Sequence, residues 1–170
     1  MSNQTPPERT RTISWQDPSI GIRIAQTISG LEYLQGIANG TYPAPPITNL
    51  MNIELVAIEE GQVTFGVEPA EYHYNPLGVV HGGLAATLVD SAMTCAILST
   101  APPGTYYTTL ELHVNYIRPV KVNTGYLKSV GQVIHIGRRV ATAEARVVDQ
   151  NGKLYAHATT TCMALQINTD

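Results

Sequence analysis

Apolar and polar positions recur with two different periods along the chain, and the first period is helical. Between residues 13 and 40, apolar residues such as Ile20 and Ile24 lie four positions apart, which predicts an N-terminal helical region. Ser29 and Glu32 have the spacing of a capping box, so we expect a helix to restart there. The proline-rich segment "YPAPP" then predicts a stiff connector that ends at residue 46.

Strict alternation follows the connector and predicts β-strands. "MNIELVAIEEGQVTFGVEP" alternates on both sides of a Glu-Gly turn, as in a hairpin. "YYTTLELHVNYIRPV" and "GYLKSVGQVIHIG" predict long strands, and in the second we expect a bend at Gly131. "RRVATAEARVVD" and "KLYAHATTTCMAL" flank an Asn-Gly pair, which is a strong hairpin signal.

One long apolar segment, from about Gly83 to Ser99, interrupts the strands and predicts a helix. Because antiparallel strands with one apolar face need a cover, we expect the sheet to curve around this helix. The predicted fold is α+β, a curved antiparallel sheet around one long central helix, with an extra N-terminal helical region. Residues 1–12 are predicted to be disordered, 13–46 to form the helical region and connector, and 47–167 the sheet-and-helix domain.

Composition narrows the classes of function. The 170 residues are 44% hydrophobic and 14% charged, with a net charge of −3 and no basic cluster, which argues against nucleic-acid binding. We find no segment that predicts a membrane span or a signal peptide. Cys95 and Cys162 lack metal-ligand spacing, which favours two reduced thiols, no metal site and a cytoplasmic protein.

The predicted central helix carries one carboxylate, Asp90, among apolar residues. Its polar side is expected to hold Thr87, Asp90, Ser91 and Thr94, and another side Leu84, Leu88, Ala92 and Cys95. An unpaired buried carboxylate is costly. Asp90 therefore either faces solvent or a neighbouring threonine, or it has a chemical role, and the sequence leaves both open.

Gly82 and Gly83 lie where this helix begins. The first N–H groups of a helix lack intrahelical acceptors, and glycine lets a ligand approach them, although the pair is also explained by a tight turn. Gly82 and Asp90 are eight residues apart, about 12 Å along a helix. One carbonyl cannot contact both within a subunit, so joint action predicts a symmetric dimer with two shared sites.

"HYNPLGVVHGGLAATLVDSA" followed by "YTTLELHVNYIRP" resembles the PaaI-like branch of the hotdog-fold acyl-CoA thioesterases, over roughly residues 45–165. The order of the Asn, the His-Gly-Gly, the Asp and the later Thr carries the resemblance. It implies a hotdog fold, an acyl-CoA substrate, no cofactor beyond the coenzyme A of that substrate, and active sites at a dimer interface. Many members are tetramers built as pairs of dimers.

The resemblance also implies roles for individual residues. The Gly82 N–H would polarise the thioester carbonyl, with Gly83 beside it at the substrate. Asn75 would hold the substrate or the attacking water, and His81 would shape the loop by hydrogen bonding. Asp90 of the partner subunit would be a general base or a nucleophile, and the sequence does not separate these routes.

A hydroxyl residue that orients water is expected at Thr109, with Thr108 as the alternative. The turn Gly137-Arg138-Arg139 would bind the phosphates of coenzyme A, because guanidinium groups pair well with phosphate. Two other functions stay open from the sequence. One is a hotdog enoyl-thioester hydratase or dehydratase, and the other is a non-catalytic acyl-CoA-binding regulator.

Overall fold

The computed structural model describes residues 7–166, which form one six-stranded antiparallel sheet and four α-helices. The strands are β1 (Ile53–Glu59), β2 (Gln62–Val67), β3 (Thr105–Tyr116), β4 (Leu127–Ile136), β5 (Val140–Asp149) and β6 (Leu154–Gln166). Their order in the sheet is β1-β2-β4-β5-β6-β3, so β1 and β3 are the edge strands. Both predicted hairpins, β1–β2 and β5–β6, are present.

The helices are α1 (Ser19–Ala25), α2 (Gly30–Ala38), α3 (Pro46–Met51) and α4 (Gly82–Leu98). The sheet curves around α4, whose buried residues include Leu84, Leu88, Val89 and Met93. This is the predicted hotdog architecture, and α4 begins within one residue of the expected position. None of the helices within residues 7–166 is long and apolar enough to cross a bilayer.

The bend expected at Gly131 lies elsewhere. Gly131 keeps regular pairing with Val63 and Ala145, and the β4–β5 register shifts only between Val133 and His135. The glycine is explained by packing instead, because a Cβ at residue 131 would collide with the backbone of α4 at Ala92. Gly131 therefore lets the sheet approach the central helix closely.

The N-terminal region follows the local sequence signals in part. Ser29 caps α2 and forms the predicted capping box, in which the Glu32 carboxylate accepts from Ser29 N–H at 2.9 Å. The prediction missed α3, because its six residues are too few for a helical period to be recognised and they follow the connector directly. Pro46 at its first turn is a favourable start, since proline there loses no intrahelical hydrogen bond.

The tail predicted to be disordered lies partly outside the described residues, which exclude 1–6 and 167–170. Within residues 7–12 no regular element occurs, and two arginines contact the body of the domain. Arg9 forms an ion pair with Glu71 at 2.9 Å, and the Arg11 guanidinium donates to the Asn49 carbonyl at 2.8 Å. The Arg11 contact connects the segment to α3, and the Arg9 ion pair connects it to the segment that follows β2.

Candidate active site

Asp90 lies half-buried at the middle of α4, where the helix passes beside strand β3. The Thr109 hydroxyl donates to the Asp90 carboxylate at 2.8 Å, and Thr94 lies 3.3 Å from the same hydroxyl. Thr108, the alternative to Thr109, is exposed and makes no such hydrogen bond within residues 7–166. The carboxylate is thus held in place by a side chain of the neighbouring strand.

A cavity of about 800 Å³ opens at Asp90. Its polar end consists of Asp90, Ser91, Thr94 and Thr109. The rest is lined mainly by apolar and tyrosine side chains, together with the polar residues Thr48, Asn49, Glu54 and Thr108. Cys95 also lines this cavity and packs against the core as well. The helical repeat places Cys95 between Leu84 and Leu88 around the axis, as expected, so the cavity reaches the edge of the apolar side of α4.

The two cysteines are free, as expected. Burial, and to a smaller extent the nearby Asp90 carboxylate, raises the pKa of the Cys95 thiol to about 12. A thiol with such a pKa stays protonated at neutral pH and is a poor nucleophile. Two carboxylates line the cavity. Glu54 is exposed and accepts a hydrogen bond from the Tyr126 hydroxyl, whereas Asp90 is half-buried beside Thr109, which makes Asp90 the better candidate for the acid–base group.

The beginning of α4 is organised by His81. Its Nδ1 accepts from the Gly83 N–H at 2.8 Å, so the side chain is the helix N-cap, in line with the expected structural role. That hydrogen bond occupies the Gly83 amide. The hydrogen bonds of residues 7–166 include no acceptor for the Gly82 N–H, so this amide is the one available to a ligand.

The ring of Tyr116 packs beside Gly82, and a Cβ at residue 82 would lie 3.2 Å from it. Asn75 stands on the loop that leads to the helix. Its Oδ1 accepts from Leu77 N–H at 2.9 Å and Val79 N–H at 3.4 Å, which forms an Asx-type turn. The carbonyl of Asn75 is therefore engaged within the loop, and its NH₂ group remains as a donor.

Within one chain the two halves of the predicted site do not meet. Gly82 and His81 line a second cavity of about 60 Å³, separate from the one at Asp90. Gly82 and Asp90 are eight positions apart on α4, which corresponds to about 12 Å along the helix axis. The turn Gly137–Arg139 joins β4 to β5 with both arginines exposed, and it lines neither cavity.

Sequence reasoning missed the residues that the N-terminal helices contribute to the large cavity. The same cavity is also lined by Leu34, Ile37 and Ala38 of α2 and by Ile47 of α3. The apolar spacing between residues 13 and 40 predicted a helical region, but not what that region packs against. No group of three or more potential metal ligands occurs among the residues that the structure describes.

The family of this chain is identified by its similarity to known proteins. The model of the thioesterase superfamily matches residues 77–156, which include the start of α4, Asp90 and Thr109. Human acyl-coenzyme A thioesterase 13 is 32% identical over 110 residues, which cover 63% of this chain and 76% of that protein. The chain belongs to the thioesterase superfamily.

Two further similarities support this thioesterase assignment. A 1,4-dihydroxy-2-naphthoyl-CoA hydrolase of Listeria monocytogenes is 26% identical over 104 residues, covering 61% of this chain and 83% of that enzyme. The crystal structure of a phenylacetic acid degradation-related protein from Ralstonia eutropha has a TM-score of 0.70 and 26% identity, covering 77% and 98% of the two chains. The resemblance to PaaI-like hotdog thioesterases is thereby confirmed, and the protein is a thioester-hydrolysing enzyme.

Proposed function

We propose that this thioesterase hydrolyses acyl-CoA to the free acid and coenzyme A, at two sites shared between the subunits of a dimer. The observation that carries the proposal is the placement of Asp90, held by Thr109 at the polar end of a large apolar cavity. Two of the similar proteins are named for acyl-CoA hydrolysis. We propose that the protein forms a dimer or a pair of dimers. A cytoplasmic location suits a coenzyme A substrate and two free thiols.

In the proposed dimer, α4 of one subunit lies antiparallel to α4 of its partner. The unpaired Gly82 N–H of one chain then faces the Asp90 carboxylate of the other across the thioester. The amide donates to the carbonyl oxygen and stabilises the negative charge that develops there, and the positive end of the helix dipole adds to this effect.

In the general-base route, Asp90 accepts a proton from water as the water oxygen adds to the thioester carbon. The resulting oxyanion is stabilised by Gly82, and its collapse breaks the C–S bond. The coenzyme A thiolate takes the proton back from Asp90, so that the carboxylate is regenerated with no net consumption. Thr109, by hydrogen bonding to one carboxylate oxygen, leaves the other free to contact water.

In the nucleophilic route, an Asp90 oxygen attacks the thioester carbon and expels the thiolate. The mixed anhydride that forms is then hydrolysed by water to the acid and free Asp90. Incorporation of heavy oxygen into Asp90 during turnover in labelled water would identify this route. Both routes use only the protein and water, so we propose that no cofactor or metal is needed.

The first test is the variant Asp90→Asn, with release of free thiol from acyl-CoA as the measurement. We expect kcat to fall by about 10³-fold, because the amide neither accepts a proton readily nor acts as a nucleophile. Glu144→Gln, which neutralises an exposed carboxylate on β5, is the matched control and is expected to retain activity. Near-normal turnover in a folded Asp90→Asn enzyme would refute the proposed role.

A further inference from the structure

The large cavity has one wall that lies outside the segment matched by the superfamily model. That wall comes from α2, the connector and α3, through Leu34, Ile37, Ala38, Ala44 and Ile47. All five precede residue 77, where the matched segment begins. The catalytic end and the opposite wall of the cavity therefore come from different parts of the chain.

Much of the cavity lining is apolar, although Asn49 and Glu54 also border it. The apolar lining includes Leu55 of β1, Phe65 of β2 and Leu98 of α4. A volume of about 800 Å³ lies within the range of about 300–1,000 Å³ that is typical of sites enclosing a whole small molecule. An acetyl group would leave most of this apolar surface in contact with water, whereas a large apolar acyl group would cover it.

The wall is fixed rather than loosely attached. Gly30 N–H donates to the Ala101 carbonyl at 3.0 Å, just beyond the end of α4. A Cβ at Gly30 would collide with the Leu98 carbonyl, so only glycine allows α2 to pack this closely on α4. Leu34 is buried to 2% exposure in the same contact region. The distance from Asp90 to the wall is therefore set by the fold.

We propose that the α2–α3 segment is the element that determines acyl specificity, and that it selects large apolar acyl groups, aliphatic or aromatic, over acetyl. This rests on the proposed acyl-CoA thioesterase function. The acyl group extends from the reacting carbonyl at Asp90 toward Ile37, Ala38 and Ile47, and its contacts with this wall stabilise the bound thioester.

The experiment fills the cavity from its open side. Ala38 lines the cavity yet is exposed, so Ala38→Phe adds bulk there without disturbing the core. Gln35→Phe, on the exposed side of the same helix and outside the cavity lining, is the matched control. Ile47→Trp fills the cavity from α3 and is the second variant if Ala38→Phe unfolds at a lower temperature than wild type.

The substrates are decanoyl-CoA, benzoyl-CoA and acetyl-CoA, each measured by thiol release. Wild type is expected to prefer the two large substrates. Ala38→Phe is expected to lower kcat/KM for decanoyl-CoA by at least about tenfold, because each lost methylene contact is worth about that factor in an apolar pocket. Acetyl-CoA turnover should stay near the wild-type value, and Gln35→Phe should alter no substrate.

Two outcomes would overturn the specificity proposal while leaving the thioesterase function intact. One is a wild-type preference for acetyl-CoA, and the other is an equal loss for all three substrates in the cavity-filling variants with none in the control. Failure of the thioesterase function itself would look different, since wild type would then release thiol from none of the three. A loss limited to benzoyl-CoA or to decanoyl-CoA identifies which shape the wall accepts and supports the proposal.

Discussion

The two sides of helix α4 differ in what they contact and therefore in what they do. One side, with Leu84, Leu88 and Met93, packs against the concave face of the sheet and is almost wholly buried. The other side, with Asp90 and Ser91, is half-buried and borders the large cavity. The same helix thus carries the core of the fold and the polar end of the proposed active site.

Because the two sides of α4 have different neighbours, residues that determine stability and residues that determine activity lie on different sides of one helix. Substitutions on the sheet side remove packing that the fold depends on, whereas substitutions on the cavity side or at the Gly82 end change groups that face a ligand. A helix buried on all sides would not allow this separation. Asp90 therefore interrupts the apolar segment at a point where the helix borders the cavity as well as strand β3.

The largest effect is expected at the N-terminal end of α4, where the variant Gly82→Pro tests the role of the Gly82 N–H. Proline at the first helical position removes the N–H without breaking an intrahelical hydrogen bond, and it adds the pyrrolidine ring. His81, at φ −61° and ψ 136°, already has the backbone conformation that a residue before proline adopts. We expect kcat to fall by about 10²–10³-fold, as on loss of an oxyanion donor. Gly82→Ala keeps the N–H and adds the same Cβ, so it should remain active.

The same variant tests the shared site when it is coexpressed with Asp90→Asn. A mixed dimer would hold one intact site, made from Gly82 of the Asp90→Asn chain and Asp90 of the Gly82→Pro chain. Random pairing of subunits should then restore about a quarter of wild-type activity. If coexpression restored no activity although mass measurement showed mixed dimers, the two groups would not act across subunits.

A test of the sheet side is Leu88→Ala, at a position with 1% exposure. Loss of this side chain should lower the free energy of unfolding by about 3 kcal/mol, through lost burial and the remaining void. For a chain of this size that corresponds to a decrease in Tm of about 6–12 °C. Ser91→Ala, on the cavity side, should leave Tm nearly unchanged, and equal losses in the two variants would contradict the distinction.

The smallest expected effect concerns His81, which caps the open end of α4. His81→Ala should lower the free energy of unfolding by about 1 kcal/mol, because the Gly83 N–H loses its acceptor. His81→Ser restores a side-chain acceptor at the same position and should recover both Tm and activity. An inactive but fully stable His81→Ser enzyme would instead indicate that the imidazole takes part in the reaction.

Only those parts of the candidate site that depend on local sequence patterns could be predicted from the sequence. Gly82 at a helix start and Asp90 in an apolar helix were recognised because each depends on neighbours within a few positions. The pairing of Thr109 with Asp90 joins residues nineteen positions apart, so spacing alone did not separate Thr109 from Thr108. The contact of Cys95 with the cavity was not predicted for the same reason, since the cavity is formed by several elements of the fold.

For the fold, the strands, both hairpins, the central helix and the capping box at Ser29 could be predicted from the sequence, because periodicity and capping are short-range effects. Three features became known only from the folded chain: α2 and α3 form a wall of the cavity, Gly131 allows close packing on α4, and the Gly82 and Asp90 halves face separate spaces. Those arrangements depend on contacts between segments that are distant in the sequence. An apolar side of a helix indicates that another segment must cover it, but not which segment does so.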